Sequence, residues 1–230
     1  MSCPHSRIET SLDRLAEAHW NLHQIERNYH FPEPFRYSFN ASVRVIKEVS
    51  QILKMVLQNE PDYRSVIKPM INAMRQDTLL KELATRRNFI VHQGMLEMKS
   101  TGYAGTTRGK NLKMGLGFDV APTETSDDGF LRFARSLKGN KELQQKLDLG
   151  DEDLYPCIQR EWLLEEFGDT DLLELAIKAW RKTGATISDL VVHFGGEPLD
   201  LSLLCLHSPE RTRLKIYSHA DFEAAMNAEP

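Results

Sequence analysis

Cysteine is scarce. Cys3, Cys157 and Cys205 are the only three in 230 residues. The number is odd, the spacing wide and the chain not small, which excludes a disulfide framework and implies a reducing, cytoplasmic setting. The opening MSCPHSRIET lacks the apolar centre of a signal peptide. No run of about 18 apolar residues occurs, so no transmembrane helix and no membrane partner are expected. A basic surplus is missing too. The formal net charge is -4, so any contact with nucleic acid must be local or must need a second subunit. There is no internal repeat, no low-complexity tract and no G-x-S-x-G nucleophile elbow. What is present is ordinary globular usage, with 41% hydrophobic and 27% charged residues.

The apolar residues are ordered with a helical period. Ile8, Leu12, Leu15, Leu22, Ile25 and Tyr29 step mostly by three or four, predicting a helix over 7–30. Proline cannot continue a helix, so Phe31-Pro32-Glu33-Pro34 separates it from the next. That one spans 35–59, where Phe35, Phe39, Val43, Ile46, Val49, Leu53 and Val56 make one face and Asn59-Glu60-Pro61 the stop. Residues 62–98 read as helix in two pieces, Pro69 disturbing the first and Asp77 capping the second. Helices are also predicted at 128–138, 140–147, 158–167 and 169–194, the last closed by Gly195-Gly196.

Residues 99–126 change character. Leu112, Met114, Leu116, Phe118 and Val120 alternate with Lys113, Gly115, Gly117 and Asp119, a period of two that predicts a strand, half of a hairpin. Leu214 and Ile216 suggest a short strand, followed by a terminal helix near 219–227. Four substantial amphipathic helices must bury their apolar faces, and the economical arrangement is a mainly α, antiparallel helical bundle. It forms a single domain over 1–230: a core from 7–98 and 169–194, an insertion over 99–168 holding a short β element, and an extension over 197–230.

The segment richest in chemistry is Arg86-Arg87-Asn88-Phe89-Ile90-Val91-His92. Arg87, the polar Asn88 and His92 resemble the arginine–polar–histidine signature of the HEPN superfamily, and the motif follows two long helices as it does there. The resemblance implies a HEPN-like bundle acting as a metal-independent endoribonuclease, a toxin or phage-defence protein, with a composite site across a homodimer and with an antitoxin or another protein as a further partner. It equally admits a non-catalytic scaffold for dimerisation or for binding a partner or nucleotide. In the catalytic case His92 moves protons during attack of the RNA 2′-hydroxyl, Arg87 steadies the phosphate charge, and Asn88 orients the histidine. Asn88 and His92 share a helix face. Arg87 and His92 lie about 140° apart around a regular helix, a separation that a two-fold partner would bridge. Arg14 and His19 repeat the spacing, with Leu15 at the polar position.

Other constellations are thinner. His19 and His23 are four apart, which suits a metal on a helix face, but no third ligand is identifiable. Cys205-Leu206-His207 lacks a partner pair. No metal and no cofactor are therefore expected. Gly105 to Asn111 is one residue short of a phosphate loop, and Asn111 stands where Ser or Thr belongs. Arg108, Lys110 and Lys113, with Arg86, are candidates for RNA phosphate contacts. Trp20, Trp162 and Trp180 sit in helical patterns and read as core.

Overall fold

A computed structural model describes residues 4–92, 98–109 and 111–228, the side chains of residues 4, 5 and 87–92 excepted. Among the described residues the helices are α1 (Glu9–Arg27), α2 (Pro32–Leu57), α3 (Lys68–Gln76), α4 (Thr78–His92), α5 (Ser126–Ser136), α6 (Lys141–Lys146), α7 (Leu172–His193), α8 (Pro209–Arg213) and α9 (His219–Asn227). The strands are β1 (Lys99–Arg108), β2 (Asn111–Gly117), β3 (Tyr155–Leu163) and β4 (Leu214–Ile216). They form one antiparallel sheet in the order β2-β1-β3-β4. The expectation of a mainly α bundle is thus corrected: the protein is mixed α/β, and nothing in the fold indicates a HEPN bundle.

The chain divides into two compact units. The first comprises residues 1–25, 36–96 and 173–206 and is helical. Its buried residues are largely those whose spacing predicts helices: Leu15 and Leu22 on α1, Phe39, Val43, Val49 and Leu53 on α2, Ile187, Leu190 and Val191 on α7. Val56 departs from the pattern and is exposed. The prolines at 32 and 34 do not keep α2 waiting until residue 35. Pro32 begins it, because first-turn N–H groups have no helical partner to lose. Asp77 caps α4 as expected, its Oδ1 accepting the Leu80 N–H at 3.2 Å, while Oδ2 pairs with Lys182 at 2.5 Å.

The second unit comprises residues 26–35, 97–172 and 207–230. It holds the whole sheet and its own apolar core, where Phe130, Phe133, Leu137, Ile158 and Phe222 are buried together. Phe130 stacks on Tyr217 with ring centroids 3.6 Å apart. Capping boxes start both α5, from Thr125 and Asp128, and α9, from Ser218 and Asp221.

The largest local correction is β3. The helix expected at 158–167 is a strand. Its buried positions Ile158, Arg160 and Trp162 alternate with the half-buried Gln159, Glu161 and Leu163. An arginine at an inward position breaks the apolar alternation that would have revealed the period of two. Arg160 is fully buried. Its Nε donates to Ser100 Oγ at 2.9 Å, Nη1 to the Glu124 carbonyl at 2.6 Å and Nη2 to the Ala121 carbonyl at 2.9 Å. The guanidinium lies 3.7 Å from the centre of the Trp162 ring. Burial lowers its pKa to about 10, which leaves it charged at neutral pH. Alongside, Asp171 is buried; its Oδ2 sits 2.5 Å from the Tyr29 hydroxyl and accepts the Trp162 backbone N–H at 3.0 Å. Tyr29 accepts the Trp162 indole N–H on its carbonyl at 2.8 Å.

His30 makes this unit sensitive to acid. Its Nδ1 lies 2.9 Å from Ser126 Oγ. Desolvation, then Lys215 and Arg160, hold its pKa down at about 4 against an ordinary 6.5. Between those two values the unfolded chain carries a proton that the folded chain refuses, so stability falls as pH drops from 6.5 towards 4. From about pH 7 to about pH 5 the loss from this residue is on the order of 2 kcal/mol. Urea unfolding of wild type and His30→Gln at both pH values checks it: the wild type should lose more stability than the variant, and parallel losses would assign the acid sensitivity elsewhere.

Candidate metal centre

The helical unit brings together three side chains that the sequence offers as two incomplete halves. His19 and His23 project from one face of α1, with ring centroids 5.1 Å apart. Cys205 comes from the irregular segment after α7, and its Sγ lies 3.2 Å from His19 Nε2. One ligand atom from each of the three lies within 4.8 Å of the other two. A tetrahedral zinc ion, with bonds of about 2.0–2.1 Å to nitrogen and about 2.3 Å to sulfur, sets its ligands roughly 3.3–3.6 Å apart by the same geometry. The His19–Cys205 pair is already near that separation, and side-chain shifts of roughly 1.2–1.5 Å at most close the widest pair.

Trp180 fixes the centre from below. Its indole N–H donates to the Leu15 carbonyl at 3.0 Å, locking the ring against α1. The His19 imidazole packs on it at a centroid distance of 5.3 Å. Partial burial, with His23 beside it, holds the His19 pKa below its ordinary value. At neutral pH the imidazole is therefore neutral, the form that binds a metal. Both histidines are half-buried and Cys205 is exposed, so an ion has a route in from solvent. Two imidazoles and a thiolate favour zinc over the hard cations magnesium and calcium. Three protein ligands leave a fourth position, as in catalytic rather than closed structural zinc sites.

The expectation of no metal ligand set rested on the lack of a third ligand for His19 and His23 and of a partner for Cys205. The structure places the two halves side by side, 182 positions apart along the chain from His23 to Cys205. Trp180 and Trp162 are core as expected, but Trp20, beside His19, is 60% exposed.

The residues expected to act on RNA are placed differently. Arg87, Asn88 and His92 fall on the last turns of α4, and their side chains lie outside the described residues. Arg86 pairs with Glu82 one turn back at 3.0 Å. Arg108 ends β1 and pairs with Asp151 at 3.3 Å and Asp153 at 3.5 Å. Lys113 is exposed on β2, and Lys110 lies outside the described residues. Of the would-be phosphate loop, residues 105–108 lie in β1, Gly109 follows with a φ of 82°, and Arg108 pairs with Asn111 at the start of β2.

A family model described as bacteriophage lambda protein ea47 matches residues 1–210. The chain belongs to that family. No curated protein and no solved structure matches it. Membership of the ea47 family corrects the HEPN resemblance, since the match that spans most of the chain is to a different family. The reason is visible in the sequence: an arginine and a histidine five positions apart constrain little, and the chain carries the spacing twice. At the other copy, Arg14 is engaged by Glu17 and Asp13. Among the described residues of this ea47-family chain, no helix is long and apolar enough to cross a membrane.

Proposed function

We propose that this ea47-family protein is a zinc-binding protein whose centre is His19, His23 and Cys205. The observation that carries the reading is the convergence of the three ligand atoms within 4.8 Å on a base held by Trp180. The fourth position takes water or a donor from outside, and an ion there polarises whatever occupies it. A reducing, cytoplasmic compartment belongs to the reading, because Cys205 binds metal only while its thiol is unoxidised. Zinc also ties α1 to the segment after α7, so loading raises stability by mass action.

The test is a zinc titration against a chromophoric chelator, with cobalt as a spectroscopic stand-in. One equivalent of zinc should bind, and cobalt should show a thiolate charge-transfer band that Cys205→Ser removes. His19→Ala and His23→Ala should each weaken zinc by at least about tenfold. Absence of one-to-one binding, or binding unchanged in all three variants, would sink the proposal.

RNA cleavage through Arg87, Asn88 and His92 stands as a separate proposal, with a homodimer as its corollary. It is favoured by α4 carrying Asn88 and His92 one turn apart on one face, with the Arg87 of a second copy supplying the cation. The two readings part in EDTA: cleavage of total RNA that persists there and disappears in His92→Ala supports the second, while no cleavage above that variant removes it.

A further inference from the structure

The sheet-containing unit has a recess of about 410 Å³ between α6 and α9, a size within the range of small-molecule pockets, about 300–1,000 Å³. Its two walls follow from helical spacing. Lys141, Gln144 and Gln145 share one face of α6, and Phe222, Glu223 and Met226 share one face of α9. The floor is the outer edge of the unit's own core. Phe222 is buried, and Leu149 and Met226 are partly buried against the same cluster. Gln144 steadies that floor, its side-chain amide donating to the Leu137 carbonyl at 2.8 Å and lying 4.0 Å from the Met226 sulfur.

One cation and one anion stand above the floor, on opposite walls. Lys141 and Glu223 are both exposed, and neither side chain has an ion-pair partner among the described residues. Glu142, the acid next to Lys141, is taken by Lys146 at 2.7 Å. A simple carboxylate entering the recess would gain Lys141 and be repelled by Glu223. A simple amine would gain Glu223 and be repelled by Lys141. A molecule that carries both charges is attracted by both walls. The floor of ring, aliphatic chain and thioether suits an apolar or aromatic substituent. We infer that the recess binds a free α-amino acid, as its zwitterion, with an apolar or aromatic side chain. The carboxylate meets Lys141, the ammonium meets Glu223, and the side chain lies on Phe222, Leu149 and Met226. The site belongs to the unit that does not hold His19, His23 and Cys205, so it stands or falls separately from the zinc reading.

The probes are L-phenylalanine, 3-phenylpropionate and 2-phenylethylamine, which share the ring and differ in charge. Each is titrated into the full chain by calorimetry at low salt. L-Phenylalanine should bind one-to-one, about tenfold or more tighter than either single-charge analogue. Charge reversal should then redirect the preference. Glu223→Lys should favour 3-phenylpropionate over the amino acid, and Lys141→Glu should favour 2-phenylethylamine. Both changes are at exposed positions and should leave the circular dichroism of the fold unaltered. Gln145→Trp, which places a large ring in the recess from the exposed side of α6, should abolish binding of all three. Lack of saturable L-phenylalanine binding overturns the inference. So does equal binding of the amino acid and either analogue, an order of preference that both charge reversals leave unchanged, or binding that survives Gln145→Trp.

Discussion

Replacing Arg160 by alanine is expected to destabilise the sheet-containing unit by about 4 kcal/mol, the range found when one member of a buried charged network is removed. The expectation follows from what the guanidinium holds. It gathers the carbonyls of Ala121 and Glu124 and the Ser100 hydroxyl onto one plane, so its loss leaves three acceptors in a desolvated place and a void beneath Trp162. The segment between β2 and α5 then keeps only its other anchors, chiefly the buried Val120 and the Glu124–Arg132 pair. Lysine is a discriminating second variant. It keeps the charge but gathers its donors on one nitrogen, which cannot span acceptors served by three guanidinium nitrogens, so Arg160→Lys should fall between, losing about 2 kcal/mol by the worth of a hydrogen bond to a charged group. Urea unfolding reads both. Equal stability of wild type and Arg160→Ala would show that the network is ornamental.

The second large effect is expected at Gly105. There β1 and β2 approach so closely that a Cβ would stand 1.9 Å from the Met114 carbonyl oxygen, far inside any van der Waals contact. Backbone cannot yield as the tip of a side chain can, and Gly105 sits in a central strand paired with both Gly115 and Cys157. Gly105→Ala should therefore cost about 3 kcal/mol, in the range of overpacked cores, and loosen the hairpin. Gly117→Ala is the control. An added Cβ there meets nothing within 4 Å, so its stability should stay within about 0.5 kcal/mol of wild type, as for surface substitutions. Similar losses in the two variants would mean that the cost lies in the alanine rather than in the strand approach.

These effects mark where local and tertiary information part. The helices of the first unit were legible because a helix is a local structure: the residues that repeat every three or four positions on α1, α2 and α7 are the ones that bury. The starts of α4 and α9 were legible for the same reason, since Asp77 and the terminal stretch near 219–227 act on their own neighbours. The strand over 112–120 showed its alternation openly, and β2 and the short β4 lie where that kind of pattern put strands.

Strand β3 was hidden because its inward set is Ile158, Arg160 and Trp162. A charged residue in a buried position reads as surface until the carbonyls that receive it are known, and those come from residues 36 and 39 positions away. The same physics concealed the candidate metal centre. The spacing of His19 and His23 was plain, but a two-residue half-site says nothing until the chain returns 182 positions later with Cys205. The short arginine–histidine spacing failed in the opposite way, pointing to a superfamily to which the chain does not belong. The sequence by itself determined the long helices of the first unit, the Asp77 cap and the absence of any long apolar span. Which residues meet across the chain was decided only by the tertiary structure, because contacts between distant segments depend on how whole elements pack and leave no periodic trace in either segment alone.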